Sequence, residues 1–347
     1  MSEISSKSVA IIGGGPAGLK AASSLAGMGV KVVLFEKQAK SGGHLKQWHK
    51  LFPSVMDTEL VLNPLLSELS SDLIDVKNGI TVTGIRKNNQ QWELSTNSGD
   101  SFSADAVLIA TGFETFDAKL KEEYGYGIYP AVVTSEELEK IFSKSQDLPF
   151  DESKKDIKIG MIHCVGSRDT KCGNNYCSKV CCITAVKQAI ELKKQFPESK
   201  IYCFYMDMRM FGLGYEELYH EAQTEYGIQF IRGRLSEASP DKNDMVQVKA
   251  EDTLLGRPLK MTLDMLVLMV GMAPAHKIII DDNSVKFEKP SFGESYLEPL
   301  DRFLYPNNSK IEGIFFAGAC KGPDSIPDIF RDANSAALEI SNYLKRI

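Results

Sequence analysis

Apolar positions fall into short continuous runs separated by helix-length segments. Val9-Ala10-Ile11-Ile12 is followed by a glycine turn, a helical repeat over 17–26 and a second apolar run over 31–35. A strand, a helix and a strand at this spacing read as a β-α-β unit with parallel strands. Residues 80–85 and 92–95 alternate with polar residues on either side of Lys87-Asn88-Asn89, which predicts a hairpin or meander. Residues 106–110 return as a buried strand. The stretch 143–155, rich in Ser, Asp and Lys and containing Pro149, breaks the periodicity like a linker.

Beyond it the same order repeats: strand 157–162, a cysteine-rich turn, helix 182–194, strand 200–205 and a closing apolar run over 266–270. A polar crossing at 290–306 then leads to strand 313–317, a glycine turn and a helix over 329–344. The predicted fold is α/β, with parallel sheets, helices on both faces and an inserted antiparallel meander. One domain is expected from residues 1–150 and 290–347 and the other from 151–289.

Composition narrows the class. The chain has 347 residues, 43% of them hydrophobic, enough for two cores. Its 46 acidic residues outnumber its 40 basic ones, and no Lys/Arg block occurs, so nucleic acid is not an expected partner. The apolar run over 265–272 is too short to span a bilayer. The first strand leaves no room for a signal peptide ahead of it, so a cytoplasmic location is expected. Five of the seven cysteines (Cys164, Cys172, Cys177, Cys181, Cys182) share one short window. In a reducing compartment that clustering points to metal or redox chemistry.

Gly13-Gly14-Gly15-Pro16-Ala17-Gly18 lies between a strand and a helix and satisfies G-x-G-x-x-G. Gly13 permits the tight turn, Gly15 lets the backbone approach a pyrophosphate, and Gly18 allows close helix–strand packing. The helix N-terminus offers free N–H groups and a positive dipole end. Glu36, at the end of the second strand, is placed to accept both ribose hydroxyls of an adenosine and would repel a 2′-phosphate.

Gly42-Gly43, Ala110-Thr111-Gly112 and Phe316-Ala317-Gly318 resemble the accessory FAD motifs of two-dinucleotide-binding-domain flavoproteins, which favours FAD over NAD. The resemblance implies cofactor contacts from Gly13, Gly15, Pro16, Ala17, Gly18, Glu36, Lys37, Gly42, Gly43, His44, Ala110, Thr111, Gly112, Gly318, Ala319 and Ile326. The superfamily usually places an Asp after the final glycine, whereas Ala319-Cys320 stands here. Backbone amides near Gly318 and Ile326 are expected to take that load.

The corresponding turn of the second domain reads Cys164-Val165-Gly166-Ser167-Arg168, which cannot form a glycine cradle, so loss of nicotinamide binding is expected. Cys164, Cys177 and Cys181-Cys182, the last two at a helix start, can supply four thiolates to a 4Fe-4S cluster. Cys172 lies in the same loop and could replace one of them. A zinc site and a thiol–disulfide pair are the competing readings.

His163-Cys164-Val165-Gly166-Ser167-Arg168-Asp169, Tyr176-Cys177-Ser178-Lys179-Val180-Cys181-Cys182, residues 205–212 and Tyr215-Glu216-Glu217 resemble the A-type subunit of heterodisulfide reductase. Gly318-Ala319-Cys320-Lys321-Gly322-Pro323 and Ile326-Pro327-Asp328 match the same family. The resemblance implies Cys164, Cys177, Cys181 and Cys182 as ligands of a 4Fe-4S cluster near FAD, with Cys172 spare. It also implies Lys187 as a cation near flavin N5, against the simpler reading of a solvent-facing helical lysine. Ferredoxin-type cysteine runs are absent from this chain, and electron bifurcation by the same wiring is not expected.

The resemblance therefore implies an FAD and 4Fe-4S electron-transfer subunit, homodimeric, working with B- and C-type subunits of a heterodisulfide-reductase-like complex of sulfur oxidation. The alternatives are a quinone-interacting oxidoreductase subunit of sulfate reduction, a pyridine-nucleotide disulfide reductase, and a zinc-bearing redox sensor. His44, His49 and His276 read most simply as hydrogen-bonded surface groups. Asp207 and Arg209 read equally as an ion pair or a site, Met206, Met208 and Met210 as packing residues, and the charges over 119–123 as a solvated face.

Overall fold

A computed structural model of the chain describes residues 6–281, 284–288 and 296–347. Chain contacts divide it into two compact units. One comprises residues 1–46, 59–114 and 273–347, the other 47–58 and 115–272. The linker-like stretch 143–155 lies inside the second unit, and the expected return at residue 290 falls outside the described residues.

The first unit is built on a five-stranded sheet in the order Ile314–Phe316, Ala106–Ile109, Ser8–Ile12, Lys31–Glu36, Ile74–Asn78. All four pairings are parallel, with Ile12 in register with both Phe35 and Ile109, and Ile109 with Phe316. Val9, Ile11, Val107 and Leu108 are fully buried, as strands covered on both faces require. Helices Pro16–Gly27 and Ile326–Leu344 pack together through small residues, Ala21 and Ala22 on one, Ala333, Ala336 and Ala337 on the other.

The predicted hairpin forms as Val82–Asn88 and Gln91–Thr96. Strands Lys277–Asp281 and Ser284–Glu288 join it in one antiparallel sheet, which brings them into the first unit. Sequence periodicity cannot reveal a pairing between strands so far apart along the chain.

The second unit has its own parallel sheet, ordered Val132–Thr134, Met265–Val270, Lys158–Val165, Lys200–Tyr205, Gln229–Arg232. Helix Cys181–Gln195 buries Ile183, Val186, Ala189 and Ile190 against it. The antiparallel strands Leu235–Pro240, Val246–Asp252 and Arg257–Leu263 contribute to a second core cluster with Ile162, Phe204 and Leu266. Helix Ser135–Lys144 begins with a capping box, Thr134 accepting from the Glu137 amide and Glu137 from the Thr134 amide.

The expectation of a solvated face over 119–123 is corrected at one residue. Lys121 is only 3% exposed, because its ammonium pairs with Asp169 at 2.8 Å and Glu123 at 2.7 Å. Asp169 also takes Arg234 at 2.7 Å. A buried ammonium is tolerated only when carboxylates compensate its lost hydration.

Burial works to raise the Asp169 pKa, but hydrogen bonds from the Lys121 side chain and the Lys171 amide, with the charges of Lys121 and Arg234, outweigh it and hold it at about 2 against 3.8. A depressed carboxylate stabilises the fold above its unfolded pKa and loses that contribution as pH falls through the folded value. Asp169→Asn should therefore cost about 2 kcal/mol at pH 7. It should also flatten the loss of stability between pH 4 and 2, read by urea unfolding at each pH; an acid limb equal to wild type would contradict the assignment.

Candidate functional site

Parallel pairing puts the C-terminal ends of neighbouring strands on one edge. In the first unit this juxtaposes the turns after Ile12, Ile109 and Phe316, and three glycines there tolerate no side chain. A Cβ on Gly13 would lie 2.3 Å from the Ala110 carbonyl oxygen, one on Gly18 1.9 Å from the Gly13 carbonyl oxygen, and one on Gly318 2.6 Å from Ala17 Cβ. Gly13 and Gly318 also hold φ of +110° and +77°, the region that glycine enters without strain.

Gly42 and Gly43 close over the same turn, the Gly42 amide donating to the Gly14 carbonyl at 2.7 Å. No side chain caps the helix that begins at Pro16. The Cβ direction of Gly15 meets nothing nearer than Gly43 Cα at 3.9 Å, so a backbone cradle stands at an uncapped helix N-terminus.

Glu36 is 6% exposed and is fixed by two amides, Gly14 and Gln38, each at 2.8 Å. Lys37 sits at the surface, paired with Glu114. His44 stacks on Phe113 with 4.4 Å between centroids and bonds its carbonyl at 3.0 Å. His276 is half-buried, and burial lowers its pKa.

Sequence reasoning missed Asp332. Its carboxylate accepts from the Gly318 amide at 2.7 Å, from Lys321 at 2.6 Å and from Asn307 at 2.9 Å. An acid two turns into the C-terminal helix thus meets the glycine turn that has no Asp of its own. Its place on the inward side of that helix was the available signal. Cys320 is buried, bonded to the Ile109 and Ala317 carbonyls, and burial pushes its thiol up to about 12.

In the second unit, strand Lys158–Val165 ends at Cys164 in a register shift, with Cys164 at φ +61° and Arg168 at +53°. Left-handed backbone at non-glycine residues is costly and collects at functional sites. The loop beyond is tied down by Arg168 N to Tyr176 O at 2.9 Å and Asn174 Nδ2 to Gly166 O at 2.9 Å. A Cβ on Gly166 would lie 2.0 Å from the Phe116 ring, so this turn is packed with aromatic carbon.

Cys164, Cys177, Cys181 and Cys182 act on one another electrostatically. A hydrogen bond with Cys181 brings Cys164 down to about 7, against burial and with help from Arg168 and Arg209. The same bond raises Cys181, so the pair gives up its first proton at Cys164. Burial pushes Cys182 up to about 11.

Cys172 stands apart. It is 3% exposed in a core cluster with Phe116 and Val165, and besides burial its thiol responds to Asp169, Lys121 and Glu123. Cys203 is buried on the neighbouring strand, its thiol raised by burial and then by Cys182. Among the described residues no group of three or more His, Cys, Asp or Glu is arranged to hold a metal ion.

Lys187 is 1% exposed, which excludes a solvent-facing lysine. Its ammonium meets Glu139, Glu191 at 3.2 Å and the Lys50 carbonyl at 3.0 Å. His49 joins the group through Glu191 at 2.8 Å. Asp207 pairs with Arg168 at 2.6 Å and Arg232 at 3.7 Å. Of the three alternating methionines, Met210 is buried and Met206 and Met208 are half-buried.

Two parallel-sheet units, one with a glycine cradle at its strand edge and the other with grouped thiols, define a flavin-dependent oxidoreductase. The chain belongs to the pyridine nucleotide-disulphide oxidoreductase family, whose model matches residues 7–337. It is similar to an A-type iron-sulfur subunit of the CoB–CoM heterodisulfide reductase of Methanopyrus kandleri, 31% identical over 96% of this chain and 64% of that one. It is also similar to the A-type iron-sulfur subunit of the CoB–CoM heterodisulfide reductase of Methanocaldococcus jannaschii, 39% identical over 68% of this chain and 36% of that one.

The chain thus spans less than two thirds of the length of either relative, and the resemblance seen in the sequence motifs is borne out. Thioredoxin reductase of Lactococcus lactis shares the fold, with TM-score 0.67, 19% identity and coverage of 98% of this chain and 100% of that one. Among the described residues no helix is long and apolar enough to cross a membrane.

Gly18→Ala should expel the cofactor, because backbone meets backbone at 1.9 Å, while Gly27→Ala in the same helix meets nothing within 4 Å and should retain it. The ratio of flavin to protein absorbance after gel filtration reads both. Full flavin in Gly18→Ala would contradict the placement of the cradle.

Proposed function

We propose that the chain is an FAD- and 4Fe-4S-containing electron-transfer subunit. The observation that carries this is the grouping of four thiols, Cys164, Cys177, Cys181 and Cys182, at a strand end and a helix start, with Cys172 elsewhere. Bound together, the two groups supply conversion between two-electron and one-electron transfer.

The donor set suits an anionic iron–sulfur core. Thiolates are soft ligands, and Cys164 gives up its proton readily. Buried polar atoms around it, Nδ1 and Nε2 of His163, Oγ of Ser167 and Nη1 of Arg168, make no hydrogen bond. Burial lowers the His163 pKa to about 4, so its ring is neutral and brings one N–H.

Around the flavin, Glu36 orients the adenosine ribose, the Gly13–Gly18 turn holds the pyrophosphate, and the amides after Gly318 and at Ile326 face the ribityl side. Lys187, its charge fixed by Glu139 and Glu191, is the cation that reduced flavin meets. The Phe116-packed turn at Gly166 supports the reading that nicotinamide binding has been given up.

The names of the relatives favour B- and C-type partner subunits of a heterodisulfide-reductase-like complex, a homodimeric arrangement and work in sulfur oxidation. The protein is proposed to act in the cytoplasm.

Anaerobically purified protein should carry about four iron and about four acid-labile sulfide. Cys172→Ser should keep them, while Ser at Cys164, Cys177 or Cys181 should lose most of the iron and retain the flavin. One zinc without sulfide, or iron retained in all three ligand variants, would overturn the proposal.

A further inference from the structure

Arg168 combines three features that do not arise together by chance of packing. Its backbone is left-handed, its Nη2 donates to Asp207 at 2.6 Å, and its Nη1 is buried without a partner. A guanidinium does not shed its charge, and leaving one of its N–H groups buried and unbonded costs about 1–3 kcal/mol. Asp207 is half exposed and can take only part of the fork. The rest of the guanidinium is turned toward the thiols, where its charge acts on both Cys164 and Cys177.

Asp207 is itself tied to the group, since its carbonyl lies 3.8 Å from Cys182 Sγ. On the loop side, Lys179 N donates to Cys177 Sγ at 3.3 Å. Donors and fixed positive charge therefore converge on the sulfurs from the loop at 166–180 and from the turn after Tyr205.

We propose that Arg168 is a positioning residue that donates Nη1–H to the sulfur core held by the four cysteines and, clamped by Asp207, raises its reduction potential. This rests on the iron–sulfur reading above. When the core is reduced, one electron enters, no bond is made or broken, and Arg168 keeps its protons. A fixed cation and a hydrogen bond to sulfur both favour the more negative, reduced state.

A merely bracing role would use the same Asp207 contact, so the two must be separated by the sign of an effect. The test is a reductive titration of the intact, anaerobically purified protein, followed by the paramagnetic signal of the reduced cluster, with iron counted for each variant. Arg168→Gln should lower the midpoint by about a tenfold change in the reduction equilibrium, ~59 mV for one electron. Arg168→Lys should fall between, since it keeps the charge and loses the fork. Asp207→Asn removes the nearby carboxylate and should raise the midpoint.

Opposite shifts in Arg168→Gln and Asp207→Asn at full iron content support the assignment. An unchanged or raised midpoint in Arg168→Gln overturns it. Should Arg168→Gln lose its iron, Asp207→Asn decides, and an unchanged or lowered midpoint there overturns the assignment. Wild-type protein without iron overturns the cluster reading itself and this role with it.

Discussion

Parallel strand pairing is the constraint on which both candidate sites depend. Because each strand of the first sheet runs the same way, the turns after Ile12, Phe35, Ile109 and Phe316 must open on one edge, although they come from opposite ends of the chain. Backbone amides can then converge there with no side chain between them. Gly13, Gly18 and Gly318 are needed less for flexibility than because each presses against backbone or a methyl group at distances no Cβ permits.

The same edge exists in the second unit, where Lys158–Val165 feeds a loop and then helix Cys181–Gln195. A nucleotide-binding turn at that place would need a glycine cradle. Here Cys164 occupies the strand end, Phe116 fills the space beside Gly166, and the helix opens with two thiols. The fold supplies the location, and the residues placed on it decide which cofactor the location suits.

Much of this was legible in the sequence, for physical reasons. Fully buried parallel strands are continuous apolar runs, so Ser8–Ile12, Lys31–Glu36 and Lys200–Tyr205 announce themselves, and glycines at tight turns mark the edge between them. What stayed hidden depends on distant partners. Lys121 looks like a surface charge until Asp169 and Arg234 fold onto it, and Asp332 looks like an ordinary helical acid until Gly318 donates to it. Strand Ser284–Glu288 carries no local sign that it pairs with Val82–Asn88. The grouping of Cys164 with Cys177, Cys181 and Cys182, and the separation of Cys172, likewise follow from how the 166–180 loop is pinned, which spacing alone leaves open.

The central claim is that four particular sulfurs hold an iron–sulfur core. Anomalous diffraction at the iron edge, from crystals grown and frozen without oxygen, tests it most directly. The account predicts a compact iron peak ringed by the sulfurs of Cys164, Cys177, Cys181 and Cys182, with Cys172 outside it. Anomalous signal at the zinc edge alone, or iron bound through Cys172 in place of one of the four, would contradict it.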